Sequence, residues 1–121
     1  MNALTNLSMV EAADAVKRGE VTSVALVEAC LARIAAHGGP VNAVIRLDKA
    51  EALEAAAAVD KARASGAVLG PLAGVPMMHK DMYYRAGKVS SCGSKIRRDF
   101  RPKITATVLR RLDDAGAIDM G

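Results

Sequence analysis

The sequence predicts an α/β fold in which helices come first and the start of a parallel sheet follows. Residues 8–64 contain three stretches with apolar side chains at helical spacing. Residues 72–78 are a short apolar run bounded by glycine and proline, which is typical of a buried strand. A polar loop, a helix and a second apolar run follow it, and this order indicates a parallel βαβ unit.

The first helix is predicted between Ser8 and Gly19. Ser8 followed by Glu11 is the signature of a capping box, and a glycine after the last apolar position commonly ends a helix. The side chains expected to face inward are Val10, Ala13 and Val16.

The second helix is predicted to form a hairpin with the first. Thr22 or Ser23 would cap it, and Gly38-Gly39-Pro40 would end it. Its inward face is expected to contain side chains at helical spacing and two beside them, namely Val24, Val27, Leu31 and Ile34 with Leu26 and Cys30.

The third helix is predicted to follow a short strand at residues 41–47, which is rich in β-branched side chains. Asp48 would cap this helix, with Glu51 in the capping-box position. The apolar side is expected to comprise Ala52, Leu53, Ala56 and Val59. Residues 65–71 are a connection rich in glycine and proline.

The second half of the chain contains the predicted βαβ unit. After the strand at residues 72–78 comes a polar, basic loop at residues 83–103. The crossover helix at residues 105–115 is expected to turn Val108 and Leu112 inward. A second strand at residues 117–120 follows Gly116.

Two strands and one crossover helix do not make a stable sheet alone. We therefore interpret the chain as one partial domain, with a helical region at residues 1–66 and the beginning of a truncated core at residues 67–121. The unpaired edge of the last strand predicts marginal stability or association, including homo-oligomers.

Composition excludes several classes of protein. Apolar residues make up 51% of the 121 residues, so the chain is not a disordered tail. Two cysteines do not make a disulfide framework, and a reducing compartment is expected. We find no leader peptide and no apolar run near the length of a membrane span, so we expect a cytoplasmic protein without a membrane partner.

The positive charge is concentrated between Arg85 and Arg111, where Asp99 is the only acidic residue. Such a block can bind nucleic acid or phosphate, but aromatic residues do not alternate with these charges as they do on RNA-stacking surfaces. A solvated loop face is the favoured interpretation, and nucleic acid is not expected as a partner. A small non-enzymatic basic interaction module remains an alternative.

The sequence does not predict a metal or cofactor site. No P-loop motif surrounds Gly87-Lys88, and His37, His79 and two scattered cysteines do not have the spacing of a zinc site. The hydroxyl-rich residues 90–94 could carry chemistry, but turn chemistry explains them equally well.

Lys80 is the candidate for catalytic chemistry. It follows an apolar strand, which predicts partial burial, and burial would lower the pKa of its amine. A neutral lysine can act as a general base toward a serine, as in Ser–Lys catalytic pairs. The alternative is a strand-end lysine that extends to solvent or pairs with Asp81.

The residues around Lys80 closely resemble the start of the amidase signature. Gly70-Pro71-Leu72-Ala73-Gly74-Val75-Pro76 followed by Lys80-Asp81 fits the family pattern G-P-L-x-G-V-P-x-x-x-K-D. The later segments "AG", "GS", "ATV" and "AGAI" and the helices before the signature also resemble the family. Two departures are Thr105, where an aspartate is common, and His79, where an apolar residue is more usual.

The resemblance implies a central mixed sheet wrapped by helices and a Ser–cis-Ser–Lys mechanism for amide bonds. Lys80 would be the lysine of that triad. The family's two serines lie downstream of the strand that begins at Ala117, so Ser90, Ser91 and Ser94 are not assigned these roles. The chain resembles the first quarter of an amidase, and it is expected to be inactive alone.

Two enzymatic interpretations follow from the resemblance. One is an amidase that acts on a small-molecule amide. The other is the glutaminase subunit of a tRNA-dependent amidotransferase, suggested by "AGAIDMG", whose partners would be the other amidotransferase subunits.

Overall fold

The computed structural model describes residues 3–121. The elements in chain order are a 3₁₀ turn (Leu4–Asn6), α1 (Met9–Arg18), α2 (Ser23–Val41), α3 (Lys49–Ala64), β1 (Pro76–Met77), a second 3₁₀ turn (Lys95–Arg97), α4 (Thr107–Asp114) and β2 (Ile118–Asp119). Three helices thus precede a strand–helix–strand unit. The predicted α/β class is confirmed, and so is the predicted order of elements, apart from the strand expected at residues 41–47.

The capping box of α1 is confirmed. The Ser8 hydroxyl accepts from the Glu11 amide at 3.3 Å, and the Glu11 carboxylate accepts from the Ser8 amide at 2.7 Å. Gly19 ends the helix with φ of +71°. Val10 was predicted to face inward, and this is wrong, because it is 62% exposed. Six helical positions place it about 120° around the axis from the fully buried Val16.

The start of α2 has two caps. The Thr22 hydroxyl accepts from the Ala25 amide at 3.1 Å, as predicted. The Asp60 carboxylate on α3 also accepts from the amides of Ser23 at 2.8 Å and Val24 at 3.1 Å. This second cap joins α2 to α3 through Val24 and Asp60, which lie 36 residues apart in sequence, so local sequence rules do not predict it.

The predicted end of α2 at Gly38-Gly39-Pro40 is wrong. The helix continues to Val41 and ends at Asn42, whose φ is +50°. A proline in the last turn removes only one intrahelical bond. Gly39, which precedes it, has no Cβ to clash with the proline ring.

Within residues 3–121, one helix is long and apolar enough to cross a membrane by length and composition. This is α2, so the expectation that no apolar run approaches that length is wrong. Its side chains Leu26, Val27 and Leu31 are buried against neighbouring elements.

The predicted strand at residues 41–47 is absent, and residues 43–48 have no regular secondary structure. The segment runs beside the end of β2, where the Asp48 amide donates to the Met120 carbonyl at 2.9 Å. Asp48 precedes α3 without capping it through its side chain. Its carboxylate instead accepts from Arg46 at 3.1 Å and lies 3.5 Å from Lys88 Nζ. The nearby cations compete for the oxygens that would cap the helix.

The core has two clusters that share Val59 at their edges. One joins α2, α3 and β2, and its buried residues are Val27, Leu31, Ala52, Ala56, Ile118 and Met120. The other joins α1, α2 and the signature segment, and its buried residues are Ala12, Ala13, Val16, Leu26 and Val75. The predicted apolar face of α3 is confirmed. Side chains from both halves of the chain therefore pack together.

The two strands are parallel, with Pro76 paired to Ile118 and Met77 to Asp119. They are shorter than predicted because residues 71–74 form a turn, in which the Gly74 amide donates to the Gly116 carbonyl at 2.9 Å. In α4 the buried side chain is Leu109, and Val108 is 44% exposed. The prediction for Val108 is wrong by one helical position, because the face of α4 that packs inward is the one carrying Leu109 and the half-buried Leu112.

Candidate active site

Lys80 lies three residues beyond β1, and its side chain is exposed. The expectation of partial burial is wrong, because the chain has left the strand and formed a turn in which the Tyr83 amide donates to the Lys80 carbonyl at 3.0 Å. Among the described residues Lys80 takes part in no ion pair. The alternative of a pair with Asp81 is therefore not observed.

An open cavity of about 1150 Å³ lies beside Lys80. One wall carries Lys80, Asp81 and Met82, and another carries residues 91–95 of the long loop. Residues 43–46 form a largely apolar third side. The cavity thus combines an amine, hydroxyl groups and apolar surface, which is the usual composition of a small-molecule site.

Two of the three serines near Lys80, Ser90 and Ser91, have structural partners. The Ser91 hydroxyl donates to the Asp81 carboxylate. The buried Ser90 hydroxyl donates to the Asp81 carbonyl at 3.0 Å. Ser94 lines the cavity. These contacts give Ser90 and Ser91 the role of holding the loop, which is the turn chemistry predicted for this segment.

Asp81 is the anchor of this loop. Burial raises the pKa of its carboxyl, but hydrogen bonds from the Ser91 hydroxyl and from the amides of Ser91 and Gly93, with the Arg46 charge, outweigh burial and lower the pKa. The Cys92 amide also donates to the Asp81 carbonyl at 3.2 Å. The residue after the lysine therefore joins the two walls of the cavity.

His79, the residue before the lysine, is also held. Its Nδ1 lies 3.1 Å from the Asp119 carboxylate at the end of β2, and its amide donates to the Gly121 carbonyl at 3.2 Å. Arg85 Nε lies 2.6 Å from the same carboxylate. The Arg85 terminal nitrogens donate to Asp113 on α4 at 2.8 and 3.0 Å.

Sequence reasoning missed Asp119 and Arg85 as site residues. Asp119 stood out only as an acid inside the apolar run at residues 117–120. Its partner His79 stood out only as a histidine at a position that is usually apolar in the family. Each looked like a local irregularity, because they lie 40 residues apart in sequence.

Several members of the basic block are bound within the chain. Lys88 lies 2.5 Å from Glu51, and this contact raises the pKa of the amine. Arg97 donates to the Tyr84 hydroxyl at 2.8 Å, and its guanidinium lies 4.2 Å from the centre of the Phe100 ring. These contacts fold the long loop onto α3 and onto itself, so the block is not a free polycation.

The thiols and acids do not assemble into a metal site. Among residues 3–121 no group of three or more His, Cys, Asp and Glu side chains is placed to bind a metal ion. Cys30 is half-buried at the edge of the core, and burial raises the pKa of its thiol. Cys92 is exposed on the cavity wall.

The structure thus places the segment "GPLAGVPMMHKD" at the first strand of a parallel strand–helix–strand unit, with Lys80 at the mouth of the cavity. The model of the Amidase family matches residues 25–121. The chain belongs to the Amidase family, and the resemblance inferred from the signature is confirmed.

The relatives extend well beyond the length of this chain. The chain is 44% identical over all its residues to a glutamyl-tRNA(Gln) amidotransferase subunit of Salinispora tropica and covers 25% of that protein. The corresponding subunit of Chloroflexus aurantiacus is 42% identical, again with 25% covered. The chain thus spans about a quarter of the length of these curated relatives.

Solved structures of amidases share the fold. The peptide amidase of Stenotrophomonas maltophilia matches 96% of the chain with a TM-score of 0.85 and 39% identity, and the chain covers 24% of it. Fatty acid amide hydrolase matches 98% of the chain with a TM-score of 0.86 and 27% identity, with 21% covered. The architecture described above corresponds to the N-terminal part of these enzymes.

Proposed function

We propose that this chain supplies the lysine of an amide-cleaving active site, with Lys80 as the general base. The observation that carries the proposal is the place of Lys80, within the family signature and on the wall of the cavity. Lys80 has no ion-pair partner among the described residues, so no carboxylate there competes with a hydroxyl for contact with its amine.

In the proposed mechanism, two serines outside residues 1–121 complete the site. Lys80 would accept a proton through the bridging serine while the second serine attacks the amide carbonyl. Backbone N–H groups would stabilise the tetrahedral oxyanion, and Lys80 would return the proton to the leaving amine. Residues 1–121 by themselves are expected to be inactive, because a base without a nucleophile does not transfer an acyl group.

The proposal predicts that Lys80→Ala abolishes activity in a hybrid in which residues 1–121 replace the matching quarter of the Stenotrophomonas maltophilia peptide amidase. Loss of a catalytic base typically lowers turnover about 100-fold or more. Hydrolysis of a peptide amide is the assay, and circular dichroism checks that the hybrids fold equally. The control is Lys61→Ala, which removes an exposed lysine from α3. A Lys80→Ala hybrid as active as its parent would contradict the assignment.

A glutaminase role is the second candidate. It is favoured by eight amidotransferase subunits of 40–44% identity over nearly the whole chain. We propose that in this case the partners are further amidotransferase subunits. Ammonia release from glutamine that requires such a partner would support this role. Release of ammonia from simple amides without any partner would favour the amidase.

A further inference from the structure

We propose that Asp119 is a positioning residue for Lys80, because its carboxylate holds the chain on both sides of the lysine. The catalytic meaning of this inference rests on the proposed function of Lys80. The structural claim, that Asp119 determines where residues 80–84 lie, stands on contacts within the chain.

The carboxylate of Asp119 contacts residues at both ends of the segment that contains Lys80. His79 Nδ1 lies 3.1 Å from it, and Arg85 Nε lies 2.6 Å from it. The five residues between these partners include Lys80 and the turn that follows it. Asp119 Oδ1 also accepts from the Gly121 amide at 3.1 Å, which fixes the carboxylate itself against the chain beyond β2.

The three side chains of this network are shielded from water. The exposed fractions are 8% for His79, 15% for Asp119 and 18% for Arg85. Polar groups buried together in this way are costly to leave without a partner. The Asp119 carboxylate is an acceptor, so a hydrogen bond with His79 requires a proton on Nδ1. Arg85 extends the network to Asp113 and thus to α4.

Lys80 is exposed, but its backbone is held on both sides. The His79 amide and ring are tied to Gly121 and Asp119, and Asp81 is tied to the loop through Ser91. The lysine side chain therefore starts from a defined position at the cavity. A displacement of about 1 Å in a reacting group can cost roughly 100-fold in rate.

The first test measures amide hydrogen exchange in the 121-residue chain. Asp119→Leu removes both the acceptor that faces His79 and the negative charge that pairs with Arg85, and Asp119→Asn keeps an oxygen for His79 but removes that charge. We expect the Tyr83 amide to exchange about tenfold faster in Asp119→Leu and about threefold faster in Asp119→Asn. The matched control Asp114→Asn removes an exposed acid from α4 and is expected to leave this amide unchanged.

A second control separates positioning from general loss of stability. Asp60→Ala removes the cap on α2 and is expected to speed exchange in α2 without a selective effect at Tyr83. If Asp119→Leu does not fold, Asp119→Asn decides the outcome. Exchange at Tyr83 that is unchanged in Asp119→Asn, or an increase no larger than that in the rest of the chain, would overturn the proposal.

The catalytic part is tested in the hybrid enzyme. Asp119→Asn is expected to lower kcat about tenfold with KM nearly unchanged, because Lys80 loses its position and the cavity remains. An equal kcat in the variant and its parent would overturn this part. If Lys80→Ala hybrids stay active, the proposed function fails, whereas the exchange result at Tyr83 still decides the role of Asp119.

Discussion

Lys80 and Asp81 are neighbours in sequence, but their surroundings differ. Lys80 is exposed beside the cavity, whereas the Asp81 carboxylate accepts hydrogen bonds from the Ser91 hydroxyl and amide. The acid thus serves as a structural anchor, whereas the lysine takes part in no ion pair among residues 3–121. Adjacent residues of one signature need not share a role.

At the residue scale, the lowered pKa of Asp81 predicts how the stability of the fold depends on pH. Because the folded pKa is below the unfolded value of about 3.9, Asp81 contributes stability that is fully present above about pH 4. That contribution is lost as the pH falls through the lower, folded pKa. We expect Ser91→Ala to remove the hydroxyl donor and raise the pKa of Asp81 toward its ordinary value.

The measurement is an NMR titration of the Asp81 carboxyl carbon, with acid unfolding followed in parallel. Ser94→Ala is the control, since it removes a hydroxyl of the same loop that has no side-chain partner among residues 3–121. A titration of Asp81 that is the same in Ser91→Ala and the parent would show that the hydroxyl does not stabilise the carboxylate.

At the element scale, the turn at the start of the signature joins the sheet to the helices. Gly74 has φ of +80°, and its carbonyl accepts from the buried Ser23 hydroxyl at 2.8 Å. A Cβ at Gly74 would lie 2.8 Å from Ser23 Cβ and 3.1 Å from Val16. The conformation and the close packing both require glycine here.

We therefore expect Gly74→Ala to lower the free energy of unfolding by about 2–4 kcal/mol, from left-handed strain and overpacking together. Gly66→Ala is the matched control, because Gly66 has φ of +78° but open space around it. It is expected to cost about 1 kcal/mol, for strain alone. Urea unfolding measures the free energy of unfolding of both variants. An equal loss of stability in Gly74→Ala and Gly66→Ala would contradict the role of packing against Ser23.

At the scale of the whole molecule, several large apolar side chains are exposed, and the described sheet has two strands of two residues each. Ile45 on the cavity wall is 75% exposed, and Ile96 on the long loop is 96% exposed. Open strand edges and contiguous apolar surface favour association.

We expect the 121-residue chain to self-associate at micromolar concentration, and sedimentation velocity measures this. Ile45→Lys is expected to weaken association, because it places a charge on the apolar cavity wall. Val10→Lys changes another exposed apolar position, on α1, and serves as the control. A monomer that unfolds cooperatively would contradict this expectation and the marginal stability predicted from the sequence.

The sequence by itself determined the α/β class, the capping box at Ser8, the apolar face of α3, the parallel pairing and the family. These features depend on local spacing or on a contiguous motif, so neighbouring residues carry the signal. It also identified Lys80 as the candidate base, through the resemblance.

Only the tertiary structure decided the exposure of Lys80, the inward residue of α4, the end of α2 and the absence of a strand at residues 41–47. It also brought Asp119 to His79 and Arg85, and Asp60 to the start of α2. Each of these depends on groups that are distant in sequence and compete for the same hydrogen-bond donors or the same space. A local sequence pattern does not describe that competition, so its outcome is visible only in the folded structure.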